Sequence, residues 1–481
     1  MWRIIMMYDR CEIFTPYEIV LELLNRVGYI TNLYGKKVLE NSCGDGQILN
    51  VIVERYILDC LKRGLSIEDI KQGLQRDIYG AEINKKHYLT CIENLNLTAA
   101  KYNINNISWN IFNEDILKKN LDLTFDYIVG NPPYIKYKDI DNNTRIFLKN
   151  NYEVCEHGKF DYCYAFIEFG LRYLNEKGIL SYLIPSSIFK NVFAQKLRDI
   201  MLPSITNIYD YTIKNIFEKV LTSSAIFICN KGYNTKYLTY SDIVNKTSYT
   251  IEKENLENGK WMFLKNSKKI KNKRHKFNDY FNASITIATL YNKAFVIKDY
   301  IEQEDCILVK DHRIEKKIIR ETASPRSLKY KKKEFIIYPY YYKENKLYRY
   351  NEEVFKSEFS EAARYLETYY DNLLKRNSDK SAKWYEYGRS QALSHMNQEK
   401  LLISTVVTKE INVYELSKVC VPYSGIYITA KEKLPLSYAK KILESKSFYE
   451  YVKKIGINAS GESIRITAVD INNFEFCEEE I

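Results

Sequence analysis

The residues Asp126-Tyr127-Ile128-Val129-Gly130-Asn131-Pro132-Pro133-Tyr134 set an amide, two prolines and a phenol at the end of an apolar run. Tyr127, Ile128 and Val129 are the aromatic and β-branched types that end a buried strand. Gly130 permits a sharp turn. A residue before proline avoids the helical region, so Asn131 is held extended, and Pro132 is restrained the same way by Pro133. Such an arm can aim the Asn131 amide oxygen and the Pro132 carbonyl in one direction, with no competing donor from either proline. Two aimed acceptors suit the gripping of an exocyclic –NH2 group. Tyr134 adds a flat face on which a base can stack. The plainer alternative is a proline turn beside an aromatic.

The elements that must position this arm can be followed along the chain. Phe14-Thr15-Pro16 opens a helix, with Thr15 expected to cap it and Pro16 at its first position. Ile19, Val20, Leu23, Leu24 and Val27 give that helix one apolar face. Lys37 to Leu49 reads as a strand, a Gly44-Asp45-Gly46 turn and the start of a helix. A turn of this kind either lets a ligand approach the backbone or is a plain turn. Residues 61–77 read as a helical excursion. Ile78 to Ile83 is a second strand ending in Glu82, an acid that can accept two ribose hydroxyls or simply face water. Asp115, after a third strand, can accept from an adenine amino group with Ile116 against the ring, or cap a helix. Gly158 to Leu174, Ile179 to Ile184, residues 191–201 and Ala225 to Cys229 continue the alternation of helix and strand. That alternation predicts an α/β fold with a mostly parallel sheet.

From about residue 235 the alternation stops. At 481 residues two domains are expected, 1–240 and 241–481, the second of α+β type. Net charge is +11, and it is uneven. Residues 1–240 hold 29 Lys and Arg against 27 Asp and Glu, whereas residues 241–481 hold 43 against 34. The excess therefore sits in the second half, where Lys268, Lys269, Lys271, Lys273, Arg274 and Lys276 form a basic run. That balance suits a phosphate-facing domain, or ordinary solubility. The ten cysteines form no Cys-x-x-Cys pair or Cys/His cluster, which argues against zinc and disulfides and for a reducing cytoplasm. Arg3, Asp9 and Arg10 interrupt the first fourteen residues, so no signal peptide is expected, and no apolar run reaches membrane-spanning length.

Taken in order, Phe14-Thr15-Pro16, Glu40 to Gly46, Glu82, Asp115 and Asn131 to Tyr134 resemble the class I S-adenosylmethionine-dependent DNA adenine-N6 methyltransferases, of the TaqI-like and Eco57I-like restriction-modification type. The resemblance covers about the first 230 residues. It implies a Rossmann-like methyltransferase domain followed by a target-recognition domain. It implies S-adenosylmethionine as methyl donor, no metal, and a flipped adenine held by Asn131, Pro132, Pro133 and Tyr134. Thr15 and Pro16 would touch the methionine end of the donor, and Glu40 its amino group. Asn41, Ser42, Cys43 and Gly44 would line its pocket. Glu82 would take the ribose, Ile83 and Ile116 the adenine ring, and Asp115 the adenine amine. Phe217 would stack on the second face of the target base. The partners implied are double-stranded DNA and a separate cognate restriction endonuclease, with the chain itself a monomer. Trp384 to Gln391 and Ser460 to Thr467 resemble segments of the family's recognition domains. There Arg389 would read a guanine edge, hold a phosphate, or stack on Trp384. RNA or protein-glutamine methylation, and a catalytically dead specificity subunit, are the alternatives. No nuclease Asp…Glu-x-Lys constellation is evident.

Overall fold

Strand residues alternate between two sides of a sheet, and the first half of the chain is apolar on both. Val38 and Leu39, Val129 and Ile128, and Leu183 and Tyr182 each send one side chain to one buried cluster and its neighbour to the other. A sheet of that kind must be covered twice. The computed structural model describes residues 15–211, 223–257, 259–263, 274–344, 346–431, 434–460 and 463–477. Its central sheet runs β3-β2-β1-β4-β5-β7-β6-β8-β9. The strands are β1 (Val38–Glu40), β2 (Ile78–Ala81), β3 (Asn110–Phe112), β4 (Phe125–Gly130), β5 (Leu174–Pro185), β6 (Ile205–Asp210), β7 (Ser224–Asn230), β8 (Tyr237–Asp242) and β9 (Thr247–Glu252). β1 to β5 pair in parallel, and β7 is inserted antiparallel between β5 and β6.

Helices α1 (Tyr17–Arg26), α2 (Gln47–Lys62), α3 (Ile67–Asp77) and α4 (Lys85–Ala100) fill one face with Leu23, Leu49, Ile52, Leu74 and Leu95. Helices α5 (Asn142–Asn151), α6 (Cys163–Tyr173) and α7 (Gln195–Met201) cover the other with Leu148, Phe166, Phe169 and Leu197. The expected mostly parallel, doubly covered sheet is therefore present. Strand order reverses between β1 and β4, and ligands of such sheets bind at the strand ends beside that reversal. β1 ends in Glu40 and β4 in Gly130, so the glycine turn and the proline arm both leave from that place.

Three local expectations need correction. Thr15 does not cap α1: Pro16 occupies the cap position and no side chain bonds there. Gly130 does not turn by left-handed backbone; it stays in register with Tyr182 of β5, and a Cβ on it would meet that ring at 3.4 Å. The boundary expected at residue 240 falls inside β8, and β8 and β9 extend the same sheet beyond it. The compact units are residues 1–268 and 269–481.

The second unit is mixed. One four-stranded sheet holds Phe281–Ile285, Ile426–Ala430, Lys400–Ile403 and Tyr414–Leu416; another holds Val296–Ile297, Glu334–Ile337, Ile319–Ala323 and Val421–Pro422. Helices Leu436–Glu444 and Lys446–Ile455 pack Ile442, Leu443 and Phe448 into a cluster with Leu401 and Ile428. Many tyrosines of this half are core: Tyr338, Tyr340, Tyr385 and Tyr387 are buried.

Candidate active site

The Asn131 side chain is held by its donor end. Its Nδ2 donates to Thr15 Oγ1 at 3.2 Å, across 116 residues of chain. Its Oδ1 is buried and has no hydrogen-bond partner. An amide whose –NH2 is engaged must present its oxygen to the other side, so Thr15 fixes which end of Asn131 is offered. Ser42 Oγ donates to the Asn131 carbonyl at 3.4 Å, which ties the arm to the loop after β1. No hydrogen bond engages the Pro132 carbonyl among the described residues. Two adjacent acceptors are thus left unsatisfied. Tyr134 packs against the clusters on both faces of the sheet. Burial holds its phenol well above the ordinary pKa, so it stays neutral.

Glu40 closes β1, is 3 % exposed, and its Oε2 has no partner. Burial, first of all, pushes its carboxyl well above the usual range, and the Leu49 backbone N–H pulls the other way. A buried carboxylate without a cation is costly, so the site is built for a positive ligand group or a proton. The loop after it turns through Gly44 and Gly46, both left-handed, with φ of +54° and +89°. Glu82 braces that loop: Oε2 accepts from the Gly44 N–H at 3.0 Å and Oε1 from the Asn84 N–H at 2.7 Å. Ile83 beside it is exposed.

Asp115 takes the capping role: Oδ1 accepts from the Leu117 N–H at 3.2 Å, and Oδ2 pairs with Lys118 at 3.1 Å. Ile116 behind it is buried. Asn113 is not among the candidate site residues of the sequence. Its Nδ2 donates to the Glu82 carbonyl at 2.8 Å and so fixes the turn that carries Glu82 and Ile83. The structure brings Thr15, Ser42 and Asn131 together directly, and joins Gly44 to Glu82. Phe217 lies outside the described residues, as do Lys268, Lys269, Lys271 and Lys273 of the basic run. In the second unit Arg389 is exposed and does not stack on Trp384, whose ring is covered by Lys356 at 5.6 Å. Trp384 to Tyr387 are buried core.

Residues 17–217 match the family model described as Eco57I restriction-modification methylase. Over these residues the chain is similar to that family. Two relatives illustrate the likeness. The modification methylase CviBIII of Paramecium bursaria Chlorella virus NC1A is 28% identical over 233 residues, 48% of this chain and 52% of its own length. RM.Eco57I, a type II restriction enzyme and methyltransferase of Escherichia coli, is 25% identical over 386 residues, 69% of this chain and 38% of its own length. The chain therefore spans about half the first relative and less of the second. Among solved structures, the type IIL restriction-modification enzyme MmeI in complex with DNA matches with a TM-score of 0.62 at 13% identity, over 97% of this chain and 65% of that one. That likeness is one of fold. No helix of the described residues is long and apolar enough to cross a membrane.

Proposed function

We propose that this chain transfers a methyl group from S-adenosylmethionine to the N6 of adenine at a specific site in double-stranded DNA, as the modification activity of a restriction system. The observation that carries this reading is the Asn131 amide, anchored through its –NH2 by Thr15 with a buried, unpaired Oδ1 at the end of β4. The match of residues 17–217 to a restriction-modification methylase model supports DNA as the substrate.

The residues fit the donor. The unpartnered Oε2 of Glu40 suits an ammonium group. Glu82 retains a lone pair on each oxygen for ribose hydroxyls, and exposed Ile83 offers a face for the adenine ring. Asp115 keeps similar capacity for the ring amine beside its capping bond. Thr15, Pro16, Asn41, Ser42, Cys43 and Gly44 form the remaining wall. Bound S-adenosylmethionine supplies an electrophilic methyl on a sulfonium.

The chain does the rest by placement. The N6 lone pair of adenine is delocalised into the ring and is a poor nucleophile. Hydrogen bonds from its two N–H groups to Asn131 Oδ1 and the Pro132 carbonyl favour a tetrahedral nitrogen and concentrate that lone pair. Aimed acceptors that need no reorganisation lower the barrier without a strong base. A base inside a duplex cannot reach this position, so it must be extruded, with the neutral Tyr134 ring as its stacking face. A separate nuclease reading the same site would be the partner. The test is incubation with methyl-labelled donor and unmethylated DNA, followed by mass analysis of the nucleosides. N6-methyldeoxyadenosine is expected. Label found instead in cytosine, RNA or protein glutamine would contradict the reading.

A further inference from the structure

Directly after the proline arm the chain builds a second feature. A cavity of about 510 Å3 is lined by Lys136, Tyr137, Lys138, Arg145, Lys159 and Asp161. Lys136 lies two residues past Tyr134, which is at most about 7 Å of backbone. The Tyr162 N–H donates to the Ile135 carbonyl at 2.9 Å, so the segment carrying Lys159 and Asp161 is tied to the end of the arm.

The lining is cationic: three lysines and an arginine face one carboxylate. That carboxylate is already taken, since Lys136 Nζ sits 2.7 Å from Asp161 Oδ2. Arg145 is preset. Its Nε donates to the Tyr137 carbonyl and its Nη2 to the Lys138 carbonyl, both at 3.0 Å. Lys138 and Lys159 are exposed, and no ion pair holds either of them among the described residues. The one aromatic, Tyr137, is spoken for: the Arg145 guanidinium lies 4.6 Å over its ring and Phe160 meets it edge-on at 5.2 Å. A ligand here is therefore held by charge and not by stacking, and its chemistry is that of an anion.

We propose that this cavity seats a backbone phosphate of the DNA strand that presents the target base, next to the extruded nucleotide. The inference rests on the DNA reading above. Phosphate contacts set register without reading sequence, which is what a subsite beside the base-holding arm requires. Lys138 and Lys159 supply the free charge. Arg145 and the Lys136–Asp161 pair hold the walls.

The test compares the full-length chain with Lys138→Ala/Lys159→Ala and with a control pair, Lys62→Ala/Lys101→Ala, taken from α2 and the end of α4 on the opposite face of the sheet. Binding to unmethylated DNA is measured across a series of chloride concentrations. Each lost phosphate contact should make the slope of log affinity against log salt shallower by about 0.9. The cavity pair should lose about one such step, for the one phosphate seated there, and raise the KM for DNA. Donor affinity and melting temperature should hold. The control pair should keep the slope, and Lys138→Arg/Lys159→Arg should restore it. A cavity pair whose slope matches the unsubstituted chain, or falls no more than the control, overturns the proposal. Competition by inorganic phosphate beyond that of chloride at equal ionic strength, lost in the cavity pair, would assign the site to a free anion and also overturn it. Methyl transfer by the unsubstituted chain is read in parallel. Transfer with an unchanged slope sinks the cavity alone, whereas absence of both transfer and salt-dependent binding sinks the DNA reading with it.

Discussion

Two side chains decide what the site can do, and each makes a prediction. Thr15 accepts from Asn131 Nδ2 and so selects the amide orientation. Thr15→Val would leave that donor buried and unmet, a cost of about 1–3 kcal/mol. Methyl transfer should slow by roughly tenfold to a hundredfold, while Thr15→Ser should restore it. Steady-state kinetics check this, and a Val variant with an unchanged kcat would remove Thr15 from the orienting role. Glu40 makes the second. Burial raises its pKa, so without donor the folded chain holds a proton that the unfolded chain has lost. Its contribution to stability is thus present at low pH and declines as pH rises above the unfolded carboxylate range. An arriving ammonium favours the ionised form, so binding should release a proton and weaken as pH falls through the raised pKa. Calorimetry in buffers of different ionisation heat reads that proton, and Glu40→Gln should abolish it. Binding with no proton released would contradict the assignment. Asn131 and Tyr134 were legible because their motif is local. The Thr15 contact was not, because its partner lies 116 residues away and a Thr-Pro before a helix reads first as a cap.

At the scale of elements, the loop between β1 and α2 is the part whose geometry is most constrained. Gly46 has φ of +89°, and a Cβ there would lie 2.8 Å from Cys91 Sγ. Gly44, at φ of +54°, has nothing within 4 Å of the same position. Left-handed backbone costs an L-residue roughly 1–2 kcal/mol, and only Gly46 adds a steric clash. Gly46→Ala should therefore lower the melting temperature more than Gly44→Ala in thermal denaturation. The reverse order would mean that the loop is set otherwise. The doubly covered sheet was readable from strand-helix alternation in the first 230 residues. β8 and β9 were not, because no α-helix separates them: β8 joins β6 in parallel and β9 folds straight back onto β8 antiparallel. Short β-segments in the second half announced strands, but their pairing into two four-stranded sheets depends on contacts distant in sequence, such as Thr322 with Val421.

At the scale of the whole molecule, the proposed donor and base contacts lie in residues 1–268, and the positive excess lies mainly beyond residue 240. The tyrosine-rich stretch around Trp384 is core, and Arg389 beyond it is exposed with no ion pair among the described residues. Arg389→Ala should weaken DNA binding without lowering the melting temperature. A loss of about 1–3 kcal/mol confined to one base position would mark guanine reading, and an even loss with a shallower salt slope would mark phosphate contact. A lowered melting temperature with DNA binding intact would contradict both. In the proposed chemistry Asn131 Oδ1 meets the target amine and not the methyl donor. The most direct measurement is labelled methyl transfer to DNA by the full-length Asn131→Ala chain, taken together with its affinity for S-adenosylmethionine. We predict that transfer falls by about a hundredfold or more while donor affinity stays nearly unchanged. Transfer near the unsubstituted rate, or a matching collapse of donor affinity, would contradict it.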